Sequence, residues 1–274
     1  MITAGCDIGS LTAKAIIMED GVVRGEAVVL TGAAPEKSAA AAMDAALTQA
    51  GVSMERVDRC VGTGYGRRRV PFAHADESEI TCHARGALWQ SPTARTVIDI
   101  GGQDAKAIRM DGQGRVVRYS YNDRCASGTG RFLEIIAEAL NVRLEEMGDL
   151  AEKSSRNLTL SNQCVIFAET EIISLVNEGM DVADILKALH RSVSKRVAAL
   201  AKSIGIEGDV VMTGGVAKNR GMYLALGEAL GVPLLSVDRP QLCGAIGAAL
   251  IAEETLRKGA APERHAVTID EPVR

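Results

Sequence analysis

The chain has 274 residues, enough for one large domain or two small ones, and its 31 Lys and Arg against 35 Asp and Glu give a net charge of −4. A mildly acidic chain with no basic stripe excludes nucleic acid as the expected partner. No uninterrupted apolar run reaches the roughly 18 residues of a membrane span, and the N-terminus shows no basic segment followed by an apolar stretch and a cleavage site, so no membrane and a cytoplasmic location are expected.

Read from its start, the chain opens with a short apolar strand that turns through Asp7-Ile8-Gly9, a second strand, the turn Asp20-Gly21 and a third strand, VVRGEAVV. A helical pattern spans 36–50. The strand VDRCVGTG then leads to the turn Gly62-Thr63-Gly64-Tyr65-Gly66-Arg67, expected to shape a loop near a cleft, with Arg67 to Arg69 as a solvated charge run. After a helical pattern over 76–90, residues 98–110 (IDIGGQDAKAIRM) repeat residues 6–18 (CDIGSLTAKAIIM) at eight of thirteen positions. Asp111-Gly112 and the strand RVVRYSY follow, so two β-meanders of one design are expected. Helical patterns over 130–140, 165–178, 182–204, 219–230 and 241–257 come next, with short strands DVVMTGG and VPLLSV among them. Strands alternating with helices indicate an α/β fold. The repeat implies two lobes facing a shared cleft, 1–94 plus about 245–274 and 95–244. The tail from about Gly259 has no period and is expected to be loosely attached.

The repeated turn can hold phosphate, because glycine brings backbone N–H groups against an anion without a Cβ in the way. The first turn offers Gly9, Ser10, Leu11 and Thr12, and the second Gly101 and Gly102. Asp7 and Asp99 precede the glycines, where a carboxylate can orient waters around a phosphate-bound Mg²⁺. Gln103 and Asp104 replace Leu11 and Thr12 and are the candidates for positioning an attacking water. Lys14 and Lys106 follow their turns; one or both could reach the phosphates, and strand alternation could equally turn them to solvent. Neither G-x-x-x-x-G-K-[ST] nor a helix-opening G-x-G-x-x-G is present. In VVMTGGVAKN, a strand runs into Gly214, Gly215, Val216 and Asn219 and then a helix, whose N-terminus can face ribose and phosphates.

DIGS-x-T-x-K, DIGGQDAK and MTGGVAKN, in this order, resemble the two phosphate motifs and the adenosine motif of the superfamily of actin, sugar kinases and 70-kDa heat-shock chaperones. The resemblance implies an actin-like (ribonuclease H-like) fold closing on ATP and Mg²⁺. LCGAIGAAL resembles its connecting helix, which would bring Gly244 to the nucleotide.

Six cysteines lie far apart in a chain too long to need disulfides. Cys125, in NDRCASGTGRFLE, and Cys164, in SNQCVIFAETEIIS, stand ahead of helical patterns, where a helix N-terminus favours thiolate. Small and polar neighbours keep both accessible. Two ligands are too few for an iron-sulfur cluster, and a two-fold dimer would supply four; two inert thiols are the alternative. Those two segments, with GTGYGR and LHRSV, resemble the ATPase activators of 2-hydroxyacyl-CoA dehydratases, within the BadF/BadG/BcrA/BcrD-type ATPase family that also holds ATPase subunits of benzoyl-CoA reductase. The resemblance runs from residue 5 to about 252. It implies a homodimer with a bridging 4Fe-4S cluster on Cys125 and Cys164. It further implies reduction by ferredoxin or flavodoxin and ATP-driven delivery of single electrons to an iron-sulfur acceptor enzyme. A small-molecule kinase would share the phosphate motifs and need a catalytic Asp, for which Asp104 is the candidate, but would leave the two cysteines unexplained. His74, His83, His190 and His265 show no metal-site spacing, and Cys82 beside His83 reads as helix packing.

Overall fold

The computed structural model describes residues 1–161 and 164–259, so the expectation for the C-terminal tail lies outside the described residues. The chain forms two compact units, Met1–Gln90 with the segment from Leu242 onward, and Ser91–Gln241.

In the first unit, β1 (Ile2–Ile8), β2 (Thr12–Glu19) and β3 (Val22–Leu30) form an antiparallel meander. The β2–β3 turn is Asp20-Gly21 with both residues at positive φ, 49° and 78°, the two-residue geometry that matches the twist of a hairpin. β4 (Arg59–Thr63) and β5 (Ala75–Asp76) add in parallel beside β1, giving the order β3-β2-β1-β4-β5. All of β1 is buried because both faces are covered. On one face Ala4, Cys6 and Ile8 pack with Ala39, Ala42, Met43 and Ala46 of α1 (Pro35–Ala50). On the other, Ile16 and Met18 pack with Ala245, Ile246 and Ala249 of the last helix, which runs from Cys243 to Arg257. Proline at its first turn starts α1, and Gly51 in the left-handed region ends it.

The second unit repeats the plan. β6 (Ala94–Ile100), β7 (Ala105–Met110) and β8 (Val116–Asn122) are the meander, and β9 (Asp209–Thr213) and β10 (Leu234–Leu235) add in parallel, in the order β10-β9-β6-β7-β8. The expected pair of meanders is therefore present, in mixed sheets. The connecting turns differ: Asp111 folds its carboxylate onto the N–H groups of Gln113 and Arg115, making a longer loop than Asp20-Gly21.

Between β8 and β9 come α3 (Gly130–Ala139), α4 (Met147–Glu152), α5 (Val165–Asn177) and α6 (Val182–Ile204). α6 begins where Asp181 accepts from the Ala183 N–H at 2.8 Å. It packs with Phe132, Leu133, Ile136, Ile98 and Ile100 in one core. α7 (Arg220–Leu230) separates β9 from β10.

Two expectations shift. The helix expected over 76–90 is α2 (Glu79–Gln90), because Ala75 and Asp76 pair with Val61 and Gly62. The short α4 carries too few periodic positions to stand out in the sequence. The Cys243–Arg257 helix is α8.

α2 and α8 cross with their backbones in contact. A Cβ on Gly86 would fall on the Cys243 carbonyl oxygen, and one on Gly247 on that of Cys82. Backbone on both sides cannot yield as a flexible side chain would. Gly247→Ala is expected to lower stability by about 1–3 kcal/mol, read as a lower urea midpoint at unchanged m-value; an unchanged midpoint would mean that the helices separate at little cost.

Candidate functional site

Strand pairing places the duplicated residues at equivalent points. Asp7 pairs with Lys14 across β1–β2 and Asp99 with Lys106 across β6–β7. Asp7 and Asp99 also align with Thr63 and Thr213 on the neighbouring parallel strands. Both turns close in the same way, Gly9 N–H to Thr12 carbonyl at 3.0 Å and Gly101 N–H to Asp104 carbonyl at 2.9 Å. Ser10 and Leu11, or Gly102 and Gln103, stand at the tips. Thr31 braces the first turn, its hydroxyl donating to the Gly9 carbonyl at 3.0 Å and its N–H to that of Leu11 at 2.9 Å.

The two lysines have different fates. Lys14 Nζ lies 3.1 Å from Asp7 Oδ2, and a Cβ on Gly9 would sit 2.9 Å from it. The ammonium therefore curls back over the turn, where an anion would meet it. Lys106 is almost fully buried, 3.4 Å from Asp99 Oδ2 and 2.5 Å from Asp104 Oδ2. Two carboxylates hold it, and Asp104 is thereby tied down beside Gly101. Thr213 Oγ1 donates to Asp99 Oδ1 at 2.9 Å.

The adenosine-like segment differs from its expected form. Gly214, at φ 88°, lies against the Ile100 carbonyl and Asp99 Oδ1, and its N–H donates to the Pro240 carbonyl at 2.9 Å. Residues Gly215–Lys218 form a single 3₁₀ turn rather than the start of a helix. α7 begins only after Asn219, whose Oδ1 accepts from Met222 N–H at 3.0 Å. Its Nδ2 has no partner among the described residues and is the atom left for a ligand. Val216 is buried, with its side chain against Gly130, so only its backbone can face a ligand. Gly244, the second residue of α8, lies beside Asp7 in the first unit.

The cysteines divide sharply. Cys6, Cys60, Cys82 and Cys243 are buried, Cys125 is half-buried and Cys164 is exposed. Burial pushes the Cys60 thiol up to about 12 and raises Cys6 and Cys82 as well, which disfavours the thiolate that binds metal. Cys164 is the N-cap of α5, as expected. Cys125 is not at a helix N-terminus: α3 starts at Gly130, after a turn in which Thr129 N–H and hydroxyl both reach the Ala126 carbonyl. The helix dipole fades within about one turn and does not reach Cys125. The Asn122 side chain instead fixes this loop, donating to the carbonyls of Cys125 at 2.8 Å and Ser127 at 3.0 Å.

One connection joins these features. The N–H groups of Gly130 and Arg131, opening α3, donate to the carbonyls of Gly101 and Gly102 at 2.9 and 2.8 Å. The second turn is thus bonded directly to the helix that follows the Cys125 loop. α3 in turn packs on α5. No group of three or more His, Cys, Asp or Glu among the described residues could hold a metal ion within one chain, and Cys125 and Cys164 are the two of the six thiols that are not buried. No helix among the described residues is long and apolar enough to cross a membrane. Sequence reasoning missed Thr63 and Thr213; the signal was there, since Gly62-Thr63-Gly64 and Thr213-Gly214-Gly215 both end strands that flank the repeated aspartates.

The model of the BadF/BadG/BcrA/BcrD ATPase family matches residues 4–252. The activator of lactoyl-CoA dehydratase from Anaerotignum propionicum is 45% identical over 262 residues, 94% of this chain and 100% of that protein. Component A of the Acidaminococcus fermentans (R)-2-hydroxyglutaryl-CoA dehydratase superposes with a TM-score of 0.91 at 40% identity, covering 94% of this chain and 99% of the other. The activator of the 2-hydroxyisocaproyl-CoA dehydratase from Clostridium difficile, solved with bound ADPNP, gives 0.89 at 38% identity, covering 95% and 98%.

The lysines can be separated by experiment. Lys106→Met leaves buried Asp99 and half-buried Asp104 without their cation and is expected to cost about 3–5 kcal/mol of stability. Lys14→Met is expected to cost less in urea unfolding and to weaken nucleotide binding in a fluorescence titration. Equal destabilisation by both, with nucleotide affinity untouched, would refute this division.

Proposed function

Since the chain belongs to the BadF/BadG/BcrA/BcrD ATPase family, and is an ATPase of actin-like fold, we propose that it is the ATP-driven electron-transfer activator of an iron-sulfur enzyme of the 2-hydroxyacyl-CoA dehydratase type. Each repeated turn offers groups to the phosphates of ATP: Lys14 and the tip N–H groups of Ser10 and Leu11 in the first unit, and those of Gly102 and Gln103 in the second. Asp7 and Asp99 orient the waters of Mg²⁺, and Gln103 aligns the attacking water. Asn219 Nδ2 and the Gly214-Gly215 backbone serve the adenosine, and Gly244 gives close approach. Asp104 holds Lys106 rather than acting as a base. This argues against a small-molecule kinase, which needs a free carboxylate.

Cys125 and Cys164 fit a 4Fe-4S cluster shared by a homodimer, being the accessible thiols among six and numbering two per chain. Such a group, when bound, supplies one-electron chemistry, with ferredoxin or flavodoxin as donor and the partner enzyme as acceptor. Exposed apolar side chains on α5 support the second copy: Ile166 and Phe167 in the first turn after Cys164, and Ile173 and Val176 further along the helix.

The observation that carries this reading is the bond between Gly101-Gly102 and the start of α3. A change at the second turn when the γ-phosphate leaves pulls on Gly130 and Arg131 and so on the Cys125 loop. Purified without oxygen, the wild type is expected to hold about four irons per dimer, and Cys125→Ala and Cys164→Ala each to lose them while keeping ATP binding. Iron-free wild type, or iron retained in both variants, would overturn the assignment.

A further inference from the structure

The two repeated aspartates are held differently, and the difference points to a residue that the duplication does not explain. Asp99 is fixed at both oxygens, by Thr213 at Oδ1 and by Lys106 at Oδ2. At the matching place in the first unit, Thr63 Oγ1 donates instead to the Glu77 carbonyl at 3.0 Å. Asp7 keeps its lysine but not its hydroxyl.

His83 of α2 stands there instead. A Cβ on Gly244 would lie 3.1 Å from Asp7 Oδ2 and 3.1 Å from His83 Nε2, so carboxylate and imidazole converge on the bare Cα of the second residue of α8. His83 is buried, and its backbone carbonyl accepts from Cys243 Sγ at 3.4 Å, which ties the turn of α2 bearing it to the first turn of α8. Glu79 lies one helical turn ahead of His83 on α2. The glycine gives the ring its approach to Asp7. A carboxylate held by one flexible lysine can still turn about its side-chain bonds, whereas one that orients metal-bound water must keep a single direction. A second contact, from the imidazole across Gly244, would supply that restraint. An imidazole supplies it without setting a second ammonium beside the carboxylate to compete with the metal.

We propose that His83 is a positioning residue for ATP hydrolysis, holding the Asp7 carboxylate in the orientation that serves the Mg²⁺ water shell. The inference rests on the reading of Asp7 given above. It is tested on the full-length anaerobic protein by ATPase assays over a magnesium titration, with nucleotide affinity measured separately in EDTA. The variants are His83→Leu, which keeps bulk, His83→Gln, which keeps a polar end, Asp7→Asn, and His83→Leu with Asp7→Asn. His83→Leu is expected to lower kcat on the order of 10- to 100-fold and to raise the magnesium needed for half-maximal rate, with metal-free nucleotide affinity within about twofold of wild type; His83→Gln is expected to recover most of the loss. The double variant should match Asp7→Asn alone, because a residue acting through Asp7 has nothing left to position. Wild-type kcat and magnesium dependence in His83→Leu, additive losses in the double variant, or equal impairment of the Leu and Gln variants together with lost metal-free binding would each overturn the proposal. Full activity in Asp7→Asn would instead remove the reading on which it rests.

Discussion

Everything at the candidate site depends on a carboxylate and an ammonium facing each other across a two-strand turn. Asp7–Lys14 and Asp99–Lys106 are register partners, and in each the charges are almost entirely withdrawn from water. An isolated charge there would be costly, so each aspartate is tolerated only with its lysine, and each lysine is drawn back over its own turn. The glycines follow from this. Gly9 lies under the Lys14 ammonium, and Gly101 under the Asp104 carboxylate that binds Lys106. The bare backbone of the two turns thus grows out of a requirement of the fold.

Duplication let one interaction take two roles. In the first unit the lysine has one partner and stays near the open turn; in the second it has two and is locked. The locked turn is also the one bonded to α3 through Gly130 and Arg131. A rigid turn transmits a displacement to a helix better than a pliable one, so strength of ion pairing and mechanical linkage coincide in the same half.

Much of this was legible in the sequence, and the remainder was hidden for physical reasons. The repeat at 6–18 and 98–110 announced both meanders because strand period and turn chemistry are local, and the bounds of α6 followed from its period. Pairing of β1 with β4, or β6 with β9, joins residues far apart in the chain, so the Gly-Thr-Gly and Thr-Gly-Gly strand ends hinted at Thr63 and Thr213, but their alignment with the aspartates and the approach of His83 to Asp7 came only with the fold. Lys14 and Lys106 share the run Ala-Lys-Ala-Ile, and only the folded chain shows that Asp104, standing where the first copy has Thr12, turns onto Lys106 and locks it. Cys125 looked like a helix-terminal thiol because Ser127-Gly128-Thr129 resembles the start of a helix; the backbone forms a turn there first, with Gly128 at φ 88°.

The central claim is that nucleotide state at the paired turns governs the loop carrying Cys125. It is tested most directly by electron paramagnetic resonance of the reduced, iron-loaded protein with and without ATP and Mg²⁺. The bond from α3 to Gly101-Gly102 predicts a changed spectrum when nucleotide binds, and an unchanged one in Gly130→Val, whose side chain would press on the Gly101 carbonyl, provided that this variant still binds ATP. A wild-type spectrum indifferent to saturating ATP would contradict the account.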